Sequence, residues 1–229
     1  MNQIQQSLNK LNGELKDSKA ELVAVSKYHP VESLSEAYSY GQRKFGESHV
    51  QELCMKEEVL PKDIEWHFIG HLQTNKVKFI IPFVSLIHAV DTIKLLKEID
   101  KQAAKCGRIV DCLLQVHIAQ EETKYGFSPE ELNAVISEGE WKSMKHIRIT
   151  GLMCMATNTD NEEQIRAEFR SVKDLFDQIK VKFFPEERSF RHLSMGMSHD
   201  YHIAMEEGST LIRVGSMIFG ERNYETKYT

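Results

Sequence analysis

Residues 21–47 read ELVAVSKYHPVESLSEAYSYGQRKFGE, and their pattern recurs along the chain. An apolar, strand-like run (21–27) is followed by a segment of helical periodicity (31–41), which begins after a proline and ends at a glycine. A second strand-like run (43–47) comes next. A strand, a helix and a strand in this order are typical of a parallel βαβ unit. The stretch therefore predicts parallel strands with helices packed on them.

Six more strand-like runs follow, and helical segments separate most of them. The predicted strands are 21–27, 43–47, 65–70, 85–91, 110–119, 148–155, 189–196 and 210–220. Strands that are almost all followed by a helix predict an α/β fold, a closed (β/α)8 TIM barrel, whose usual size of about 250 residues is close to this length. An open doubly wound sheet is the alternative, because strand number alone does not exclude it.

An amphipathic segment precedes the first predicted strand. Its apolar residues at helical spacing are Ile4, Leu8, Leu11 and Leu15. We expect an extra N-terminal helix within residues 1–18 and the barrel over residues 21–220. No internal repeat, low-complexity tract or linker-like composition marks a boundary, which favours one domain over residues 1–229.

The composition is that of an ordinary globular protein, with 41% hydrophobic and 28% charged residues. The formal net charge is −5, so no global positive field would attract nucleic acid or an anionic membrane. The longest apolar run (79–90) is interrupted by polar residues and is too short to span a bilayer. A small molecule is therefore the expected partner.

The cysteines and histidines do not predict a metal site. The four cysteines form no CxxC pair and have no histidine at zinc-ligand spacing; they are Cys54, Cys106, Cys112 and Cys154. The pairs His67–His71 and His199–His202 have no cysteine or carboxylate at a recognisable ligand spacing. Reduced cysteines and a polar N-terminus without a signal peptide predict a cytoplasmic location.

Polar residues and glycines occupy the ends of several predicted strands. Lys27 ends the first, Ser194 lies near the end of the seventh, and the segment 213–216 lies in the eighth. In such barrels the active site lies at the carboxyl ends of the strands, and a phosphate-binding site is often found after strands seven and eight. Small hydroxyl residues and glycines there suit a phosphate dianion.

Lys27 follows an apolar strand and precedes the proline that starts the next helix. Alone, such a lysine is usually a solvated charge, since only burial or a nearby cation lowers its pKa enough for nucleophilic chemistry. Beside a phosphate cradle at the same barrel mouth, it becomes a candidate for a Schiff base with a phosphorylated aldehyde. Pyridoxal 5′-phosphate is such an aldehyde.

Eight short motifs in order resemble the pyridoxal phosphate homeostasis proteins, a family related to the N-terminal barrel of bacterial alanine racemase. They are AVSKYHP (24–30), FGESHVQE (45–52), WHFIGHLQTNK (66–76), HAVD (88–91), KYGF (124–127), GLMCMA (151–156), LSMGMSHD (193–200) and GSTLIRVGSMIFGER (208–222). Each motif is weak alone, but together they span residues 20–222 at the expected spacing.

This resemblance implies a role for each site residue. Lys27 would form the Schiff base, while Ser194, Gly215 and Ser216 would hold the phosphate. Arg213 would face the pyridine nitrogen. Because a guanidinium stays charged, it donates to an unprotonated ring nitrogen and makes the ring a poor electron sink.

The chain departs from the family pattern at Ser48, where FGEN is usual and FGES is found. Ser48 therefore takes the place of an asparagine that approaches the ring. Serine is shorter than asparagine and has one donor fewer, so a different affinity or ring tilt is expected.

The resemblance implies a carrier that keeps vitamin B6 aldehyde bound and delivers it to apo-enzymes, as a monomer or weak dimer. Racemisation needs two acid/base groups, one of which comes from a separate domain in alanine racemase, and this chain ends soon after residue 220. A single-domain racemase or lyase is the first alternative, with an acid/base group among Tyr28, His29, His71 and Tyr201. A protein-interaction module with a regulatory cofactor is the second.

Overall fold

The computed structural model describes residues 2–121 and 125–221. Its strands pair in parallel, each with the next in the chain, and β8 pairs with β1 to close the barrel. The strands are β1 (Glu21–Val25), β2 (Lys44–Glu47), β3 (Glu65–Phe68), β4 (Leu86–Val90), β5 (Val110–His117), β6 (Ile147–Met155), β7 (His192–Ser194) and β8 (Leu211–Val214). The predicted TIM barrel is confirmed, and the open sheet is excluded.

Helices connect the strands, and the predicted N-terminal helix is present. They are α1 (Gln3–Leu15), α2 (Val31–Ser39), α3 (Val50–Val59), α4 (Val77–Ile80), α5 (Ile93–Lys105), α6 (Pro129–Glu138), α7 (Glu162–Phe183), α8 (Tyr201–Glu206) and α9 (Ser216–Phe219). Thr92, Ser128 and Asn161 cap the first turns of α5, α6 and α7 through their side chains. Each cap supplies an acceptor for a backbone N–H that has no partner inside its helix.

The last predicted strand (210–220) is too long. Strand β8 ends at Val214, and the next residues form the helical turn α9, in which the amides of Ile218 and Phe219 bond the carbonyl of Gly215. The apolar residues beyond Gly215 fit a strand and a short helix equally well, so their pattern could not separate the two. The break matters because it turns the backbone across the barrel mouth.

Two apolar clusters hold the barrel together. The larger lies between the strands and the surrounding helices, and the smaller consists of Val23, Leu86, Ala89, Leu113, Met153 and Leu211. On β1, Val23 alternates with Leu22 and Ala24, which belong to the larger cluster, so the smaller cluster fills the barrel interior. Arg213 lies two residues beyond Leu211 on β8 and therefore shares the interior face.

Gly151 permits a close approach between β6 and β7. Its φ is +154°, and a Cβ there would lie 1.7 Å from the carbonyl oxygen of His192. The register between β5 and β6 shifts at the same place, between Cys112 and Leu113. Among the described residues, no helix combines the length and the apolar character needed to cross a bilayer.

Candidate functional site

A cavity of about 280 Å³ opens at the carboxyl ends of the strands. Its lining residues are Val25, Lys27, Ser48, Ile69, Met155, Met197, Ser198, His199, Arg213, Gly215 and Ser216. The residues predicted to bind cofactor are all in this set except Ser194. The cavity therefore gathers residues that are up to 191 positions apart in sequence, from Val25 to Ser216.

Arg213 supplies a buried positive charge to the cavity. The residue is only 4% exposed. Its Nη1 donates to Ser194 Oγ at 2.7 Å and its Nη2 donates to the carbonyl oxygen of Cys154 at 2.9 Å. Burial lowers the pKa of the guanidinium, yet arginine stays protonated in proteins. Its hydrogen bonds to described residues involve neutral groups, so the charge suits an anionic or electron-rich ligand.

Ser194 lies next to Arg213 and is fully buried. Besides accepting from Arg213, its hydroxyl lies 2.9 Å from Nδ1 of His88, and Nε2 of His88 lies 2.9 Å from Nδ1 of His67. Burial lowers the pKa of His67 to about 3 and that of His88 well below its usual value. Both rings are therefore neutral near pH 7 and form a hydrogen-bonded chain behind Arg213.

Arg213 can only donate, so Ser194 accepts from it. The hydroxyl keeps its proton and a second lone pair for Nδ1 of His88, and the tautomer of His88 decides which of the two groups donates. The same tautomer sets the direction of the bond between His88 and His67. The Ser194 hydroxyl is thus used to orient the guanidinium, and its predicted role at the phosphate stays a prediction.

Part of the cavity rim is formed by residues 197–199 and 215–216. The Gly215 amide donates to Ser198 Oγ at 3.4 Å, which ties the two loops together. A Cβ at Gly215 would lie 2.9 Å from the carbonyl oxygen of Val25, so only glycine lets this loop approach the end of β1. Ser198 was not among the predicted site residues, although it is the second serine of the motif LSMGMSHD.

Ser48 lines the cavity from the loop between β2 and α3. Gly70 packs directly on it, since a Cβ at Gly70 would lie 2.5 Å from the Ser48 carbonyl oxygen. The backbone position of Ser48 is therefore well determined. The residue lines the cavity, and its predicted contact with a cofactor ring stays a prediction.

The residues considered as alternative acid/base groups lie outside the cavity lining. The Tyr28 hydroxyl lies 3.3 Å from Nε2 of His49, and the ring of His29 packs on Phe219. The ring of His71 lies 2.8 Å from Asp91 and stacks on a tyrosine, whereas the Tyr201 hydroxyl donates to Glu14 of α1 at 2.7 Å. Each of the four is engaged elsewhere in the described part of the chain.

A larger cavity of about 440 Å³ lies away from this mouth. It is lined mainly by apolar side chains, among them Trp141, Phe183 and Phe184. It contains none of the residues predicted to bind cofactor. The smaller cavity therefore is the candidate site.

The motif KYGF begins at Lys124, which lies outside the described residues, as does Arg222 at the end of the last motif. The other six motifs are described throughout. Every fully described motif except HAVD contributes residues to the cavity lining, and so does the described part of the last motif.

A family model and several curated relatives match most of the chain. The model of the alanine racemase N-terminal domain family matches residues 1–223. The pyridoxal phosphate homeostasis protein of Aquifex aeolicus is 41% identical over 206 residues, which cover 90% of this chain and 88% of that protein. Its counterpart from Helicobacter pylori (strain 26695) is 40% identical over 202 residues, with 87% of each protein covered.

A solved structure extends the likeness to three dimensions. PipY of Synechococcus elongatus, described with PLP bound, superposes with a TM-score of 0.86 and is 35% identical. The match covers 95% of this chain and all of PipY, 100%.

Proposed function

The chain belongs to the family of pyridoxal phosphate homeostasis proteins, and from this premise we propose that it holds pyridoxal 5′-phosphate in the cavity between Lys27 and Arg213. The function is to keep the aldehyde bound and to release it to apo-enzymes. The observation that carries the proposal is the buried guanidinium of Arg213, which faces the same cavity as an amine and bonds only neutral groups among its described hydrogen-bond partners.

The donor set fits this cofactor. The phosphate needs several N–H and O–H donors, which Ser198, Gly215 and Ser216 can supply from the rim. The pyridine nitrogen needs one donor, which Arg213 can supply. The aldehyde needs a primary amine, and Lys27 is half-buried in the cavity wall. Gly215 supports the fit because any side chain there would push the rim away from β1.

Lys27 is the residue that we assign to the covalent link. Its deprotonated amine would hold the aldehyde, and the cofactor would supply a carbonyl that condenses reversibly with amines, with loss of water. Hydrolysis, or exchange with another amine, would free the aldehyde again. A reversible bond of this kind suits a carrier, since it retains the cofactor without consuming it.

Arg213 favours binding over catalysis. When bound, pyridoxal 5′-phosphate supplies a carbonyl for amines and, if its ring nitrogen is protonated, a strong electron sink. Arg213 would donate a hydrogen bond to that nitrogen and keep its proton, so the sink would stay weak. The four alternative acid/base residues lie outside the cavity lining, and His199 is the one histidine within it among the described residues.

The test uses the loaded protein in deuterated water with L-amino acids. We expect a yellow protein whose visible band depends on Lys27, with no more exchange of α-protons than free cofactor produces. Loaded protein mixed with a pyridoxal-phosphate-dependent apo-enzyme should restore that enzyme's activity. Exchange clearly above the free cofactor would instead support the racemase or lyase alternative. The Lys27→Ala protein is the control for both arms.

A further inference from the structure

A cluster of buried charges lies directly behind Lys27. It consists of Glu47 at the end of β2 and Glu52 and Lys56 on α3, all with fully buried side chains. The Lys56 amine donates to Oε1 of Glu47 at 2.8 Å and to Oε1 of Glu52 at 2.6 Å. The cluster thus places two carboxylates and one ammonium in the protein interior.

The cluster holds the backbone on both sides of Lys27. On one side, Lys56 Nζ donates to the carbonyl oxygen of Ser26 at 2.8 Å, and the Ser26 hydroxyl donates to Glu47 at 2.7 Å. On the other side, the amide of Tyr28 donates to Oε1 of Glu52 at 2.7 Å. The residues before and after Lys27 are therefore attached to one buried group of side chains.

Tyr28 shows why such an attachment is needed. Its φ is +66°, which makes it the single non-glycine residue with a positive φ among the described residues. A bulky residue adopts this conformation only where its surroundings hold it there. The hydrogen bond from the Tyr28 amide to Glu52 is such a constraint, and the turn it fixes sets the direction in which Lys27 leaves the end of β1.

Fold stability alone does not account for the arrangement. A buried ion pair can often be replaced by apolar residues of similar volume without loss of stability, and here a second carboxylate adds a charge that Lys56 must share. Stability therefore does not explain the second carboxylate, Glu52, which accepts a hydrogen bond from the Tyr28 amide.

We propose that Glu52 is a positioning residue for Lys27: with Lys56 it fixes the 26–28 turn so that the Lys27 amine points into the cavity. This inference rests on the proposed function, in which that amine bonds the aldehyde. Glu52 touches neither ligand nor cavity lining in this scheme and acts through the backbone of Tyr28.

The test compares two ligands that differ only at the group that meets Lys27. Pyridoxal 5′-phosphate carries the aldehyde, whereas pyridoxine 5′-phosphate carries an alcohol there and uses only the non-covalent contacts. The ratio of their affinities therefore reports the placement of the Lys27 amine. A general loss of structure would weaken both ligands together and leave the ratio unchanged.

In Glu52→Met, of similar volume, Glu47 and Lys56 remain as a balanced pair and the Tyr28 amide loses its acceptor. We expect the affinity ratio to fall by about tenfold or more, the effect of one buried unpaired donor. Glu52→Gln keeps an acceptor oxygen and should restore most of the ratio. Glu58→Ala, which removes an exposed carboxylate from the same helix, should leave the ratio at the wild-type value. If Glu52→Met does not fold, Glu52→Ala is measured in its place.

An unchanged ratio in a folded Glu52→Met or Glu52→Ala protein, or an equal loss of both ligands, would overturn the inference while leaving the proposed function intact. If the wild-type protein shows no preference for the aldehyde, the proposed function fails and the positioning role falls with it. The two failures are distinguished by the wild-type measurement alone.

Discussion

Arg213 donates to the hydroxyl of Ser194 at 2.7 Å, and the same hydroxyl lies 2.9 Å from His88. The serine therefore connects the cavity to the neutral histidines inside the barrel. Its contacts favour a role in orienting the guanidinium, whereas Ser198 and Ser216 line the cavity itself.

The first prediction separates these roles by comparing pyridoxal 5′-phosphate with pyridoxal, which lacks the phosphate. Ser194→Ala should weaken both ligands by a similar factor of about tenfold, since Arg213 loses a hydrogen-bond partner and, in the proposed site, would contact the ring of either ligand. Ser198→Ala should weaken only the phosphorylated ligand. Equilibrium titrations followed by visible absorbance measure the factors. A loss confined to the phosphorylated ligand in Ser194→Ala would instead support a phosphate contact.

The second prediction concerns stability against pH. Burial lowers the pKa of His67 to about 3 and that of His88 well below 6.5, so the unfolded chain binds more protons than the folded one below about pH 6.5. Stability should fall with decreasing pH, with each histidine contributing up to about 1.4 kcal/mol per pH unit. Glu47 acts in the opposite sense, because burial raises its pKa to about 7 and the folded state then holds its proton between pH 4.5 and 7.

Comparison with His88→Gln isolates the histidine contribution. Glutamine can keep a hydrogen bond to Ser194 and does not titrate, so the variant should lose stability less steeply below pH 6.5. Urea unfolding at a series of pH values gives the slope of the free energy of unfolding against pH for the wild-type protein and for His88→Gln. Equal slopes for the two proteins would show that His88 is charged in the folded state.

The third prediction concerns the rim. In Gly215→Ala, the new Cβ would lie 2.9 Å from the Val25 carbonyl oxygen and 3.2 Å from the Val25 Cβ, so the loop must move away from β1. We expect weaker binding of pyridoxal 5′-phosphate by about tenfold or more, and a loss of about 1 to 3 kcal/mol in the free energy of unfolding. Wild-type affinity in this variant would show that the rim does not contact the phosphate.

The fourth prediction concerns the barrel wall. Gly151→Ala places a Cβ 1.7 Å from the His192 carbonyl oxygen, so β6 and β7 must separate, and we expect a loss of more than about 2 kcal/mol in the free energy of unfolding. Gly13→Ala is the matched control. That position is in α1 with open space around it, and alanine should stabilise the helix by up to about 1 kcal/mol. Chemical denaturation of both variants provides the comparison.

Much of the fold could be predicted because its signals are local. Seven of the eight predicted strands contain the observed one, and the sixth begins one residue after the start of β6. The caps at Thr92, Ser128 and Asn161 lie where the sequence has capping residues. The helical turn after Gly215 could not be predicted, because it depends on the loop meeting the end of β1. Apolar residues in so short a segment fit either structure.

The motifs bring most of the predicted site residues to one place. Lys27, Ser48, Arg213, Gly215 and Ser216 line one cavity, whereas Ser194 does not. Their roles towards a cofactor stay predictions. The histidine chain was not predicted, because His67 and His88 are 21 residues apart and meet only inside the closed barrel. The cluster behind Lys27 was missed for a similar reason. Glu52 and Lys56 are typical charges of a surface helix and Glu47 of a strand end, and they meet only when α3 packs on β2.

The most direct test of the central claim is reduction of the loaded protein with borohydride, followed by peptide mapping. Reduction fixes any C=N bond between the cofactor and a lysine. We predict that the pyridoxyl label is found on the peptide that contains Lys27, and that Lys27→Ala is unlabelled while it still binds pyridoxine 5′-phosphate. A label on another lysine, or none in a protein saturated with pyridoxal 5′-phosphate, would contradict the account.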